Sequence, residues 1–319
     1  MGGGIDQSIK VAIQAVHDAA LLFGPKHDEI ALDRCDSRRI ICRFDKNYTF
    51  YEINAENSIM ISDCHTHLNC TAGQADIADH LAAIEQIDSC IVLATAGESS
   101  EKSNKDMSDH VKDQPKMVGF GIFDPLRDNP APKNVKSLTK DLGLRGVVLY
   151  CPQGGFHPTD SRLMRFYESA ESLELPVFFH SCPPFAADDI LNYSQPYLLD
   201  EIARKFHDLK MIIGGMGLPF LDQTISMIAK HENIYADLSI CPQRVWEVYN
   251  LVVNCYEAGV MDKLLFGSGY PQAAPGECIE TLLGFNKLMA NTALPNVPRE
   301  EIREIIERDT LSVLGIDLQ

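Results

Sequence analysis

The chain has 319 residues, 45% apolar and 23% charged, a composition typical of a globular protein with one large core or two modest ones. Its 28 basic and 45 acidic residues give a formal net charge of −17, which predicts binding to neither nucleic acid nor anionic membrane. No apolar run approaches the roughly 18 residues of a membrane span, and the N-terminal sequence lacks the pattern of a secretory signal. Ten scattered cysteines without a CxxC pair are typical of reduced, mostly buried thiols, so we expect a cytoplasmic protein.

Residues 1–58 differ in pattern from the rest of the chain. Positions 5–23 show helical periodicity, and positions 31–53 predict two or three short strands separated by turn signals. We interpret this segment as an N-terminal appendage, a cap or a dimer contact, on a domain that spans residues 59–319.

From residue 59 onward, short apolar and β-branched runs alternate with amphipathic stretches. The pattern predicts eight strands, at 59–64, 89–95, 116–122, 145–150, 176–181, 210–215, 233–238 and 262–268. It predicts helices that include 160–174, 197–207, 244–259 and 298–308. A doubly wound open sheet could show the same alternation. Eight consecutive repeats, with no GxGxxG turn after the first strand, favour an α/β fold of the (β/α)8 TIM-barrel type.

Three histidines fall where predicted barrel strands end. His65 and His67 lie two residues apart in the sequence Asp63-Cys-His-Thr-His-Leu, and His180 ends the fifth predicted strand. Residues two apart on an extended strand share a face, so His65 and His67 would point to one spot. Because a barrel builds its active site at the C-terminal ends of its strands, we expect these three side chains to form a site for one divalent metal ion.

Other polar side chains follow the same strand ends. Candidate catalytic residues are Tyr150, His157 and Asp237, which could transfer protons. His157 could equally order its loop, and Asp237 could either hydrogen-bond a ligating histidine or cap the following turn. Gln153 and Asp124, in the loops after the fourth and third strands, are candidates for substrate binding.

The ordered set of segments resembles the amidohydrolase superfamily. It comprises DCHTHL, RGVVLYCPQGGFHPTDSRL, LPVFFHS, KMIIGGMGLP, NIYADLS and DKLLFGSGYP. The nearest branch is the amidohydrolase-related group that includes aminocarboxymuconate-semialdehyde decarboxylase, and the resemblance covers roughly residues 59–316. It implies a distorted TIM barrel in which His65, His67 and His180 bind a divalent metal, usually zinc. It also implies a small-molecule substrate and a possible homodimer.

Two positions depart from the pattern of the family. The resemblance implies a histidine at the end of strand six, where this chain has Gly215, and a metal-ligating aspartate at the end of strand eight, where it has Gly269. Relatives often carry a lysine and a histidine around strand four, where this chain has Val148 and Tyr150. Glycine has no side chain to supply a ligand or a proton.

The sequence therefore predicts a metal-dependent hydrolase or decarboxylase with an altered site, acting on a small carboxylate, amide or lactone. Two alternatives stay open. The barrel could serve as a non-catalytic binding or assembly protein, or it could be a metal-free enzyme that uses the space left by the two glycines.

Overall fold

The computed structural model of the protein describes residues 31–36, 39–44, 47–51, 60–68, 70–71, 74–75, 77–97, 99–181 and 183–318. The helical pattern at positions 5–23 lies outside the described residues. The chain divides into two compact units, residues 1–58 and 59–319. No helix in the described part is long and apolar enough to cross a membrane.

The described residues of the first unit form a small antiparallel sheet. Its strands are β1 (Ala31–Asp36), β2 (Arg39–Phe44) and β3 (Asn47–Tyr51), with β2 in the centre. The β1–β2 ladder carries a register shift between Leu32 and Arg34. These strands fall within the segment for which the sequence predicts two or three short strands.

The second unit contains a sheet of eight parallel strands, in the chain order that a barrel requires. The strands are β4 (Ser62–His67), β7 (Ser89–Leu93), β8 (Met117–Ile122), β9 (Gly146–Leu149), β10 (Val177–Phe179), β11 (Met211–Ile213), β12 (Ile234–Ser239) and β13 (Leu264–Gly267). Two short strands, β5 (Cys70–Thr71) and β6 (Gln74–Ala75), pair with each other after β4. A bridge from Thr66 to Tyr270 joins the first strand to the segment after the last, with 2.8 Å between His67 N and Tyr270 O. The predicted TIM barrel is confirmed.

Helices follow the strands around the barrel. They are α1 (Ile77–Ala83), α2 (Ser100–Val111), α3 (Pro132–Lys140), α4 (Cys151–Gly154), α5 (Ser161–Ser172), α6 (Asp200–Lys205), α7 (Leu221–Lys230), α8 (Val245–Glu257), α9 (Pro275–Leu288), α10 (Arg299–Ile306) and α11 (Thr310–Leu314). The helix predicted over 197–207 is a 3₁₀ turn, Pro196–Leu199, that leads directly into α6. Pro298, predicted in the first turn, directly precedes α10 as its N-cap, where the missing N–H of proline leaves no helical hydrogen bond unmade.

Alternate residues of the strands face two different layers. Val147, Val177 and Leu264 belong to the cluster that packs against the outer helices. Val148, Phe178, Ile212 and Leu265 alternate with these residues, so they lie on the inner face of the strands, where they are fully buried in the second cluster. Because the strands are buried on both faces, they carry near-continuous apolar runs. The same alternation places His180, two residues after inward-facing Phe178, on the inner face at the end of its strand.

Candidate metal centre

Three histidine side chains converge at the C-terminal mouth of the barrel. His65 and His67 end strand β4, and His180 directly follows β10, with its side chain on the same parity as inward-facing Phe178. The ring centroids are 4.9 Å apart for His65 and His67, and 5.2 Å apart for His180 and either of the others. One ligand nitrogen from each ring lies within 4.8 Å of the other two. The structure thus brings together the three residues proposed from the sequence as metal ligands.

Asp237 fixes the orientation of His65. Its Oδ2 lies 2.5 Å from His65 Nδ1 and also accepts hydrogen bonds from the Gly215 N–H (2.9 Å) and the Ser239 hydroxyl (2.7 Å). Burial alone would raise the pKa of Asp237, but attraction to His65 and these hydrogen bonds outweigh it, so the pKa lies below its usual value. An ionised Asp237 only accepts hydrogen bonds, so His65 Nδ1 carries a proton and donates it to Asp237, which leaves Nε2 as the ring nitrogen that faces His67.

His67 presents its Nε2 to the same point. Its Nδ1 lies 3.3 Å from the carbonyl oxygen of Leu93, which can only accept, so Nδ1 carries the proton. Burial, with repulsion from His65, lowers the pKa of His67 to about 3, so its ring is neutral at pH 7. The two Nε2 atoms are 2.9 Å apart. Two ring nitrogens at this separation can share a proton in a hydrogen bond or, when both are deprotonated, direct their lone pairs at one cation.

His180, like His67, is a neutral imidazole. Burial, together with repulsion from His65 and His67, holds the pKa of His180 well below its usual value. Within the described part of the chain its Nδ1 is buried and has no hydrogen-bond partner. Neutral imidazole nitrogens are common ligands of divalent transition metals, and two nitrogens each about 2.1 Å from one ion are about 3 Å apart at a right angle. The donor set observed here therefore fits a divalent metal ion.

Two residues that the sequence predictions did not include support the centre. Ser239 Oγ lies 2.9 Å from His65 Nδ1 while it donates to Asp237. Asp63 Oδ1 accepts from the N–H groups of His65 (2.9 Å) and Ser268 (3.1 Å), which ties β4 to the segment after β13. Burial raises the pKa of Asp63 to about 6 against these hydrogen bonds. Both residues lie two positions from a predicted site residue, a spacing that could have identified them.

Tyr150 also lies at the centre. Its ring packs at a tilt against His180, with centroids 4.7 Å apart, and its hydroxyl donates to the carbonyl oxygen of Ala94 at 2.9 Å. The tyrosine therefore supports the third histidine from the side while its hydroxyl bonds to the backbone after β7.

The remaining candidates make local contacts in their own loops. His157 Nδ1 accepts from the N–H of Thr159 (3.1 Å), and its ring packs edge-on against Tyr193. Gln153 is exposed and its amide lies 3.5 Å from a carboxylate oxygen of Asp189. Asp124 accepts from the Leu126 N–H at 2.8 Å. None of these described contacts joins His157, Gln153 or Asp124 to the three histidines.

Glycines occupy the two positions where the sequence departs from the family pattern. Gly215 has φ of 53° and uses its N–H to bind Asp237. Gly269 has φ of 67°, and its N–H donates to the carbonyl oxygen of His65 at 2.8 Å. Both backbones thus contact the residues of the centre, although neither contributes a side chain.

The sequence matches a known family over most of its length. The family model described as amidohydrolase matches residues 62–309, so the chain belongs to the amidohydrolase family. The resemblance inferred from the sequence is confirmed, and the family supports the prediction of an enzyme. A search of the sequences of curated proteins finds no match.

Solved structures with the same barrel include several enzymes, at identities that show the fold alone. A probable 2-pyrone-4,6-dicarboxylic acid hydrolase from Acinetobacter baumannii, with citric acid bound, is 14% identical with a TM-score of 0.58, covering 80% of this chain and 99% of that one. The 5-carboxyvanillate decarboxylase LigW from Sphingomonas paucimobilis is 13% identical (TM-score 0.58; 82% and 100% covered). The corresponding LigW2 of Novosphingobium aromaticivorans, with bound manganese, is 13% identical (TM-score 0.55; 76% and 82% covered).

Proposed function

We propose that this protein is a metal-dependent hydrolase or decarboxylase that acts on a small carboxylate, amide or lactone. The observation that carries the proposal is the convergence of His65, His67 and His180, with two Nε2 atoms 2.9 Å apart. Similar barrels that hold citric acid or manganese, and whose names specify hydrolases and decarboxylases, support it. We propose zinc as the ion, because three imidazole nitrogens and an open position are typical of catalytic zinc.

In this proposal the three histidines, Asp237 and Phe178 have separate roles. When bound, a divalent ion lowers the pKa of a coordinated water and polarises a carbonyl oxygen. His65, His67 and His180 would hold the ion, and Asp237 would keep His65 in the tautomer that offers Nε2. Phe178, whose ring centroid lies 5.1 Å from that of His65, forms an apolar floor that excludes water from below.

The residues proposed for proton transfer and substrate binding are Tyr150 and three loop residues. We propose Tyr150 as the nearest candidate for proton transfer, since its ring packs against His180. Asp237 is a positioning residue in this scheme, because its Oδ2 accepts three hydrogen bonds. His157, Gln153 and Asp124 would act on the substrate from the loops above the strand ends, where barrel enzymes place such groups.

Elemental analysis of the purified protein tests the proposal. Prepared without chelator, the protein should contain close to one divalent metal per chain, and His65→Ala should lose it. His207→Ala, at an exposed histidine outside the centre, is the matched control and should keep it. Metal below about 0.1 per chain in the unmodified protein would refute the proposal.

One observation favours a second candidate, a non-catalytic amidohydrolase-like binding or assembly protein. Gly215 and Gly269 stand where the family pattern has a histidine and an aspartate. This candidate predicts no turnover of carboxylate, amide or lactone panels by metal-loaded protein, together with co-purification of a partner chain. Light scattering would separate a homodimer from such a mixed complex.

A further inference from the structure

The first strand of the barrel carries a β-bulge at the metal centre. In the β4–β7 ladder the register shifts between Asp63 and Thr66, so two residues of β4, Cys64 and His65, lie opposite one residue of β7. Strict alternation would point these neighbouring side chains to opposite faces of the sheet. The bulge changes the direction of one of them, and both side chains reach the same carboxylate, that of Asp237.

The two carboxylate oxygens of Asp237 have different partners. Oδ2 accepts the three hydrogen bonds described above, whereas Oδ1 lies 3.5 Å from the Sγ atom of Cys64. In the part of the chain that the structure describes, this thiol is the one hydrogen-bond donor to Oδ1. Cys64 and Asp237 are both fully buried, so bulk water does not reach this oxygen.

The Cys64 thiol keeps its proton in this environment. Burial, together with the negative charge of Asp237, holds the pKa of Cys64 well above its usual value. A protonated thiol is a weak donor and an ionised carboxylate only accepts, so the proton lies between Sγ and Oδ1. The distance of 3.5 Å suits a hydrogen bond from sulfur, whose radius exceeds that of oxygen.

A hydrogen bond to the second oxygen fixes the plane of the carboxylate. The three donors to Oδ2 hold one oxygen of Asp237 in place, but the group can still tilt about that atom. Donors approach a carboxylate oxygen near the plane of the group, so a tilt would misalign the bond to His65. We propose that Cys64 is a positioning residue of the metal centre, whose thiol holds Asp237 in the plane that directs His65 toward the ion. This inference rests on the proposed function and adds to it a residue that is not itself a ligand.

Cobalt(II) binding to the metal-free protein tests the inference, because the visible absorption of Co(II) reports its ligands. Cys64→Ala removes the donor and should weaken Co(II) binding by about three- to tenfold, less than the loss of a direct partner of a ligating histidine. Cys64→Ser keeps a donor on the same carbon and should retain most of the affinity. Cys90→Ala is the matched control, since Cys90 is equally buried on the neighbouring strand β7 and no described hydrogen bond joins it to Asp237. It should bind Co(II) as the unmodified protein does.

Proton NMR of the metal-free protein gives a second measurement, which needs no metal. The proton between His65 Nδ1 and Asp237 Oδ2, atoms that are 2.5 Å apart, should resonate far downfield, where few other protons are found. Cys64→Ala should shift or broaden this resonance, and Cys90→Ala should leave it in place. A thiol that only fills the core would affect neither the resonance nor the affinity, although its removal would lower the free energy of unfolding in both variants.

The outcomes separate this inference from the proposed function. Co(II) affinities of Cys64→Ala and Cys90→Ala that agree within about twofold would overturn the inference and keep the metal centre. A thiolate-to-Co(II) charge-transfer band that disappears in Cys64→Ala would also overturn it, because Cys64 would then be a ligand. If the unmodified protein binds no Co(II), the proposed function fails, and the downfield resonance decides whether Cys64 positions His65. If Cys64→Ala does not fold, Cys64→Val, which fills the space of the thiol without a donor, takes its place.

Discussion

Replacement of Asp237 by asparagine should weaken metal binding while it preserves the shape of the site. Asp237 Oδ2 accepts from His65, Gly215 and Ser239, and Oδ1 lies 3.5 Å from the thiol of Cys64. An asparagine whose side-chain oxygen takes the Oδ2 position would still accept all three hydrogen bonds, but it would carry no charge. Partners of this kind typically contribute 10- to 100-fold in metal affinity, or about 1.4 to 2.7 kcal/mol. Loss of charge-assisted hydrogen bonds should also lower the free energy of unfolding of the metal-free protein by about 1 to 2 kcal/mol.

Competition with a chromophoric chelator measures the first quantity, and urea unfolding measures the second. Asp124→Asn is the matched control, because Asp124 also accepts a backbone hydrogen bond but makes no described contact with the histidines. Ser239→Ala should give a smaller loss than Asp237→Asn, since it removes one neighbour of His65 and leaves the carboxylate. Equal metal affinities, within about threefold, for Asp237→Asn and the unmodified protein would refute the reasoning.

Three further predictions follow from single side chains. Gly267→Ala places a Cβ 2.2 Å from Asp237 Oδ1 and should lower the free energy of unfolding, measured in urea, by about 1 to 3 kcal/mol. Gly284→Ala, in α9 with no neighbour within 4 Å of the added carbon, should instead raise it by about 0.5 to 1 kcal/mol. Equal effects of the two substitutions would contradict the packing argument. Tyr150→Phe removes the hydroxyl that bonds to Ala94 O and keeps the ring against His180, so the free energy of unfolding should fall by about 1 kcal/mol while the affinity for Co(II) stays unchanged. A large change in Co(II) affinity would argue against a packing role for the ring. Burial and repulsion from His110 lower the pKa of His80 from 6.5 to about 4, so the folded state binds this proton less readily than the unfolded state does. The free energy of unfolding should therefore fall as the pH drops from about 6.5 to 4, and it should fall less for His80→Phe than for the unmodified protein. Parallel pH profiles of the two proteins would refute the assignment.

The fold and the three histidines could be predicted from local patterns. Apolar runs that are buried on both faces identify parallel strands, and the eight predicted strands correspond to the eight strands of the barrel. His65 and His67 share a face because they are two residues apart, although the β4–β7 register shifts between Asp63 and Thr66. His180 has the parity of an inward-facing strand residue. In each case the signal lies within a few residues of sequence.

The partners of the histidines could not be predicted in the same way. Asp237 is 172 residues from His65, and Asp63 is 205 residues from Ser268, so only the closure of the barrel brings these pairs together. The sequence left Asp237 open between a histidine partner and a cap, and for Ser239 it offered only a spacing of two residues from Asp237. His157, Gln153 and Asp124 were predicted as site residues, but their described contacts lie within their own loops. A strand-end position alone does not determine where a loop side chain points.

The energetics of the centre bear on the choice between an enzyme and an inert barrel. His67 and His180 are neutral and half-buried, and the buried Nδ1 of His180 has no partner among the described residues. A buried polar atom without a partner costs about 1 to 3 kcal/mol, and a barrel that served only as a scaffold would gain that energy by replacing these side chains with apolar ones. A bound cation offsets the cost by an amount that grows with its affinity. The hydrogen bond to Asp237 keeps His65 Nε2 directed toward His67 Nε2, so the arrangement is better suited to holding an ion than to stabilising an empty fold.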